Sequence, residues 1–236
     1  MDERINKYLS SCGYCSRREA DRLINDNRVM IDGKPAQLGS RVTDGQIVTV
    51  DGNRVFAEEE IILLAFNKPV GIVCTTTDNQ GSNNIVDYIG YDKRIYPVGR
   101  LDKDSEGLIL LTNQGQLMDD ILRSVNGHEK EYTVTVNKKL SKDFEKRMSQ
   151  PMYIKELDRW TRNCTVKVTG DYSFNIILTQ GLDRQIRRMC QILGYKVVKL
   201  QRIRIMNILL GDLQTGQYRQ VTSNEYNELL SQINRD

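Results

Sequence analysis

The stretch Gly99-Arg100-Leu101-Asp102-Lys103-Asp104-Ser105-Glu106-Gly107-Leu108 sets one carboxylate, Asp102, in a short charged loop bounded by glycines. Held on a rigid sheet edge, such a carboxylate can serve as a nucleophile or a general base. It can equally be a turn former that bonds its own backbone. Spacing alone favours the turn. Apolar runs flank the loop, Ile95 to Val98 before it and Leu108 to Leu111 after it, and they read as adjacent strands.

The charges that could serve this carboxylate cluster further on. Between Gly181 and Arg204 stand Arg184, Arg187, Arg188, Lys196, Lys199, Arg202 and Arg204, opposed by Asp183 alone. Such a local excess is the footprint of a polyanion site. Ile186, Met189, Cys190 and Leu193 follow the i, i+3, i+4, i+7 pattern of a helix stripe. That leaves Arg184, Arg187 and Arg188 together on the other face. A solvated basic surface would look the same, but three arginines on one turn repel one another unless anions are near.

Other chemistries are poorly supplied. There is one histidine, His128, so a multi-histidine metal centre has no ligands, and any Ser-His-Asp arrangement would depend on that residue without a G-x-S-x-G elbow. Walker A and G-x-G-x-x-G loops are absent. Five cysteines, an odd number spread along the chain, suit a reducing compartment rather than a disulfide framework. Cys12-Gly-Tyr-Cys15 lacks the second ligand pair of a zinc site and reads as the small end of a helix. No apolar run approaches the roughly 18 residues of a membrane helix. Met1-Asp2-Glu3-Arg4 opens a polar segment without a signal-peptide core, so a cytoplasmic protein is expected. The net charge of +3 implies no particular partner by itself.

The positioning elements are legible in outline. Residues 1 to about 52 form a compact unit. Ile5, Tyr8 and Leu9 share a helix face. Ser16-Arg17-Arg18-Glu19 reads as a capping box, and the following helix buries Ala20, Leu23 and Ile24 while Arg17, Arg18 and Arg22 face solvent. Val29 to Ile31 and Gln46 to Val50 read as strands, with a turn at Asp32-Gly33. Glu58-Glu59-Glu60 is a polar linker. Beyond it, strands are expected at Ile61 to Asn67, Ile72 to Cys74, Glu131 to Val136, Thr165 to Val168, Phe174 to Thr179, Lys196 to Arg202 and Tyr218 to Val221. Helices are expected at Ile85 to Ile89, Gln116 to Arg123, Ser141 to Met148, Arg184 to Leu193 and Asn224 to Ile233, the last capped by Ser223. Strands joined by hairpin turns with helices between some of them imply an α+β domain with a mixed, mainly antiparallel sheet flanked by helices.

Arg4-Ile5-Asn6-Lys7-Tyr8-Leu9, Cys15-Ser16-Arg17-Arg18-Glu19-Ala20 and Val29-Met30-Ile31-Asp32-Gly33 resemble the S4 RNA-binding module. The resemblance implies an S4-like domain over residues 1–58, offering Arg4, Lys7, Arg17, Arg18 and Arg22, with Arg28, to an RNA backbone.

A second resemblance covers residues 61 to about 222 and implies a catalytic domain over residues 61–236. Lys68-Pro69-x-Gly71, Gly99-Arg100-Leu101-Asp102 with Ser105 and Gly107-Leu108, Lys130-Glu131-Tyr132, and Gly181-Leu182-x-Arg184-Gln185-Ile186-Arg187-Arg188-Met189 are similar, in order, to the motifs of RsuA-type pseudouridine synthases. Lys103-Asp104-Ser105 and His128-Glu129-Lys130-Glu131-Tyr132 look closest to the RluF branch, which acts on large-subunit ribosomal RNA. Asp183 departs from the asparagine that branch tends to carry.

That resemblance implies a cofactor-independent isomerase that detaches uracil from C1′ and reattaches it through C5. It makes Asp102 the nucleophile, attacking either C1′ of the ribose or C6 of the base. It makes Tyr132 the residue that stacks on the base and assists proton transfer, and Arg187 the salt-bridge partner of Asp102. A guanidinium there favours the ionised carboxylate and can orient it bidentately. Arg100, Arg184 and Arg188 join the RNA-binding set, offsetting the cost of flipping the uridine out of its stack. The expected substrate is 23S ribosomal RNA, with tRNA or 16S ribosomal RNA as alternatives, and the expected protein is a monomer with no metal, small-molecule cofactor or membrane partner. A non-catalytic S4-type ribosome-associated RNA-binding protein would need the basic residues but not Asp102, Tyr132 and Arg187 together.

Overall fold

A computed structural model describes residues 2–56, 60–76, 83–122 and 127–233. The chain divides into two compact units, Met1–Ile62 with Tyr91–Ile95 and Thr112–Gln116, and Leu63–Gly90 with Tyr96–Leu111 and Leu117–Asp236. No helix among the described residues is long and apolar enough to cross a membrane.

In the first unit, β1 (Asp2–Arg4) leads into α1 (Ile5–Ser11) and α2 (Arg17–Asn25). Then come β2 (Val29–Ile31), β3 (Lys34–Pro35), β4 (Arg41–Thr43), β5 (Val48–Val50) and β6 (Asn53–Arg54). The four strands β3-β2-β5-β6 form one small sheet and β1-β4 another. Ile5, Leu9, Ala20, Leu23, Ile24, Val29, Val48 and Val50 make the core, as the helix and strand patterns require. Asp32 and Gly33 both take positive φ, 50° and 76°, the conformation of a tight type I′ hairpin turn between β2 and β3.

The Ser16 cap forms, its Oγ accepting from Glu19 N–H at 3.1 Å. The reciprocal half of the expected box is replaced, because the Glu19 carboxylate accepts from Arg22 instead. The β1–β4 pair has no counterpart in the sequence reading: Asp2–Arg4 is too short to show a period, and its partner is almost forty residues away.

The second unit holds β7 (Leu63–Lys68), α3 (Ile85–Ile89), β8 (Tyr96–Val98), β9 (Glu106–Thr112) up to Leu111, α4 (Gly115–Leu122) from Leu117, β10 (Lys130–Val136) and α5 (Phe144–Met148). A short hairpin follows, β11 (Tyr153–Ile154) and β12 (Arg159–Trp160). The unit closes with β13 (Thr165–Gly170), β14 (Ser173–Leu178), α6 (Gln185–Ile192), β15 (Val197–Ile205), β16 (Ile208–Leu209), β17 (Tyr218–Gln220) and α7 (Ser223–Ile233). Among the described residues nine strands share one sheet in the order β13-β14-β10-β15-β9-β7-β17, with β16 on β15 and β8 on β9. The β15–β9 pair is parallel, while β10 pairs antiparallel with both β14 and β15. The α+β class and the mixed, mainly antiparallel sheet are as read from the sequence.

Two cores back this sheet. One packs Val134, Val136, Phe174 and Ile176 against Phe144, Met148, Ile186, Met189 and Cys190, so the stripe of α6 is buried as its spacing demands. The other packs Leu63, Leu108, Leu110 and Ile205 against Leu117, Ile121 and Leu229. Three local readings change. Among the described residues Ile72 to Cys74 makes only a single bridge, Val73 to Asn84. The cap of α7 is Thr222 rather than Ser223: Glu225 N–H donates to Thr222 Oγ1 and Thr222 N–H donates back to the Glu225 carboxylate. The β11–β12 hairpin was not expected. Arg123, and Glu58-Glu59 of the linker, lie outside the described residues.

Candidate active site

Asp102 stands in the connection between β8 and β9, adjacent strands of the sheet, so the flanking apolar runs pair as their composition implied. The turn is closed by backbone: Ser105 N–H donates to the Asp102 carbonyl at 3.1 Å. The carboxylate therefore is not what makes the turn. Its neighbours are cationic, with Arg184 Nη1 3.5 Å and Arg187 Nε 3.9 Å from Asp102 Oδ2.

The loop is fastened from several directions. Lys68, fully buried at the end of β7, donates through Nζ to the Ser105 carbonyl at 2.8 Å and the Pro69 carbonyl at 2.9 Å. Gly71 N–H donates to the Lys103 carbonyl at 2.7 Å. The Lys68-Pro69-x-Gly71 motif is thus a clamp on the loop that carries Asp102. Burial holds the Lys68 amine below the usual lysine range, and nearby Cys74, Asp102 and Asp104 oppose that shift. From the other side, Arg187 Nη2 donates to the Asp104 carbonyl at 2.8 Å and to Ser105 Oγ at 3.1 Å. Gly107 takes φ +101° where β9 meets β15, and a Cβ there would lie 2.3 Å from the Arg202 carbonyl oxygen. Only glycine fits.

The expected bidentate Arg187–Asp102 bond is replaced by a looser arrangement. Among the described residues Arg187 donates to the neighbouring loop residues Asp104 and Ser105, and the Asp102 carboxylate is met by guanidinium charge at ion-pair distance. The fork belongs to Arg184, whose Nη1 and Nη2 donate to the two carboxylate oxygens of Asp104 at 3.2 and 2.9 Å. This bond holds the Asp104 carboxyl below the usual carboxylate range. Arg184 takes φ +50° at the N-cap of α6, and this backbone turn carries its side chain to the loop. Arg188 accepts a different role again, donating to the Asp183 carbonyl at 3.0 Å and carboxylate at 3.2 Å and lying 3.6 Å from Glu156. The anions that relieve the crowded arginines are the protein's own carboxylates, Asp102, Asp104 and Glu156 from remote segments and Asp183 from the same one.

A cleft of about 690 Å³ opens beside this loop in the second unit. Asp102, Arg100, Tyr132, Arg184 and Arg187 all face it, and Arg188 does not. Tyr132 is half-buried on β10, packed against the core yet open to the cleft, and a register irregularity precedes it at Glu131. Bulges of this kind re-aim side chains beside active sites. Glu131 itself anchors Arg204 at 2.9 Å. Arg4, Lys7, Arg17, Arg18 and Arg22 belong to the first unit. Arg4, Arg17, Arg18 and Arg22 are exposed, while Lys7 is half-buried and paired with Glu3 at 3.1 Å. Arg28 is committed to Asp51 at 2.5 Å.

Residues 62–192 match the family described as RNA pseudouridylate synthase, and residues 3–48 match the S4 domain. The chain is 49% identical over 232 residues to the dual-specificity RNA pseudouridine synthase RluF of Salmonella typhi, and 48% identical to that of Escherichia coli K12. Each alignment covers 98% of this chain and 79% of the relative. The chain belongs to the RsuA-type pseudouridine synthases, in the RluF branch. It is 30% identical to the ribosomal large subunit pseudouridine synthase B of Bacillus subtilis, covering 96% of this chain and 95% of that one. A crystal structure of a pseudouridylate synthase superposes with a TM-score of 0.70 at 27% identity, covering 96% of this chain and 99% of the other.

As a pseudouridine synthase the protein acts on RNA, and its cleft is electropositive beyond what the motifs showed. Lys130 and Arg202, already singled out in the sequence, line it too, and so do Arg159 and Arg162, which no motif contained. Burial, with the charge of Arg202 nearby, brings the Lys130 amine down to about 8. Arg202 is buried, donating through Nε to the Leu108 carbonyl at 2.6 Å. Arg159 and Arg162 come from the β11–β12 hairpin and the residues just after it, a stretch too short and irregular to give a periodic signal. Among the described residues no cluster of histidine, cysteine and carboxylate could hold a metal. The Cys12 and Cys15 thiols are raised by burial around the end of α1, which suits the structural reading of that pair.

Proposed function

We propose that Asp102 is the nucleophile of uridine-to-pseudouridine isomerisation, with Tyr132 against the target base and Arg187 beside the nucleophile. The N1–C1′ bond breaks, a C5–C1′ bond forms, the proton at C5 is lost and N1 gains one. No group or electron is imported, so no cofactor is required. The observation that carries this reading is the carboxylate in a cationic cleft, freed from turn-making and met by Arg184 at 3.5 Å and Arg187 at 3.9 Å. A guanidinium keeps a nearby carboxylate ionised, as attack demands. Tyr132 opens into the same cleft, where a flipped uracil could lie on its ring.

The substrate we assign is large-subunit ribosomal RNA, with tRNA as a second substrate. The dual specificity in the names of the RluF relatives supports two RNAs. Residues 1–58 serve as the RNA-docking domain and residues 61–236 as the catalytic domain, in a cytoplasmic monomer. Docking by Arg4, Lys7, Arg17, Arg18 and Arg22 would raise the local concentration of the target at the cleft. Arg100 and Arg184 are assigned to phosphates at the cleft, and Arg188 to phosphate only after release from Asp183.

The test is Asp102→Asn. It is expected to abolish pseudouridine formation in both RNAs while leaving RNA binding within a few-fold of wild type. Turnover at the normal rate would overturn the nucleophile assignment. Mapping pseudouridine in a strain lacking the protein identifies the uridine.

A further inference from the structure

The chain has one tryptophan, Trp160, and it stands 64% exposed on β12 beside the catalytic cleft. Leaving the largest apolar side chain in water forfeits burial energy unless the surface has a use. The hairpin that carries it is firmly built. Ile154 is fully buried, and Thr161 Oγ1 accepts from Met152 N–H at 2.8 Å. Asp158 closes the turn at φ +50° and its carboxylate accepts from the Tyr153 hydroxyl at 2.6 Å. The Tyr153 ring lies 5.5 Å from the indole at 47°, an aromatic contact that helps hold it in place. Gln180, a wall of the cleft, donates through Nε2 to the Trp160 carbonyl at 3.4 Å, so the indole leaves the backbone at the rim. Arg159 and Arg162 on either side of it line the cleft.

We propose that Trp160 is a stacking platform for an unpaired base of the substrate RNA other than the target uridine, with Arg159 and Arg162 contacting the phosphates between the two. An aromatic face flanked by arginines is the recurring design for unpaired nucleic acid, because every base has a π-face and every linkage a charge. Arg159 turns to the cleft and Trp160 to the opposite face of the same strand, since neighbours in a strand alternate. RNA leaving the cleft across the rim would meet the charge first and the ring second. This rests on the pseudouridine synthase reading and adds to it a contact outside the reacting nucleotide.

The lone indole makes the test direct. Full-length Asp102→Asn protein is titrated with a fluorescently labelled RNA hairpin with a uridine-containing loop, and with a blunt RNA duplex of equal length. The tryptophan emission and the anisotropy of the RNA are followed together. The hairpin is expected to quench Trp160 as it binds, and the duplex to bind with little quenching. Trp160→Phe should keep the hairpin affinity, and Trp160→Ala should weaken it about fivefold or more, the lower end of what one stacked base contributes. The slope of log affinity against log salt should not change in Trp160→Ala and should fall by about one in Arg159→Ala. In otherwise wild-type protein, Trp160→Ala should raise KM more than it lowers kcat. Binding without quenching, or unchanged affinity in Trp160→Ala, overturns the stacking assignment. Wild-type protein that binds RNA but forms no pseudouridine overturns the catalytic reading alone, and failure to bind either RNA overturns both.

Discussion

The two guanidinium nitrogens of Arg184 fork onto both carboxylate oxygens of Asp104, two residues from Asp102. The pair leaves Asp102 beside the fork rather than in it, near enough to feel the charge and not bound in a geometry that would hinder attack. Asp104→Asn keeps the shape and loses the charge-assisted fork. An exposed pair contributes about 1 kcal/mol, so kcat/KM should fall by about fivefold, measured by single-turnover pseudouridine formation. Because the Asp104 pKa is depressed in the fold, the stabilisation is present above the ordinary carboxylate range and is lost as pH falls through the lowered value.

Lys68→Met should damage catalysis without touching substrate. The methionine fills the space of the buried stem but leaves the Ser105 and Pro69 carbonyls without their donor. Stability is expected to drop by about 1–3 kcal/mol in urea unfolding. The freed loop should lower kcat by about tenfold to a hundredfold, with a smaller change in KM.

The pH profile should show Lys130. Its cation is lost as pH rises through about 8, so kcat/KM for RNA is expected to decline above that point. The same depression makes the folded protein gain stability between about 8 and the ordinary lysine value, where the unfolded chain still binds the proton. Lys130→Gln should lack both changes, read from rate profiles and from thermal melts at pH 7 and pH 9.

Gly107→Ala forces a Cβ to within 2.3 Å of the Arg202 carbonyl oxygen and 2.7 Å of its nitrogen, at a φ that side chains rarely take. Because the obstacle is backbone, the cost should be about 3 kcal/mol or more. Gly181→Ala, with open space around its Cα and an ordinary φ, is the control and should stay within about 0.5 kcal/mol of wild type.

Alkylation should leave the enzyme active. Burial pushes the thiols of Cys164 and Cys190 up to about 11 and about 12, and Cys12, Cys15 and Cys74 are also raised. Iodoacetamide at pH 7.5 is expected to spare pseudouridine formation, and rapid inactivation would point to a thiol in the reaction.

Much of this protein was legible in the order of its residues. The apolar stripe of α6 had to be buried, and the runs around Asp102 had to be strands, because period and composition leave little choice. The motifs that carry Asp102, Tyr132 and Arg187 were contiguous and ordered, so the resemblance to a family could be read from them. What spacing could not supply was partnership across the chain. Arg187 was expected to pair with Asp102, and Arg184 and Arg188 to meet RNA phosphates, yet Arg184 forks onto Asp104 while standing 3.5 Å from Asp102, Arg187 holds the loop backbone 3.9 Å from that carboxylate, and Arg188 turns to Asp183. The partners of Arg184 and Arg187 lie about eighty residues away, a separation that only the folded sheet closes, whereas the Asp183 that Arg188 takes is a near neighbour in the chain. The Lys68 clamp, the glycine demanded by the Arg202 backbone and the Arg159–Trp160 rim were decided there too, because each is a distance between elements remote in sequence.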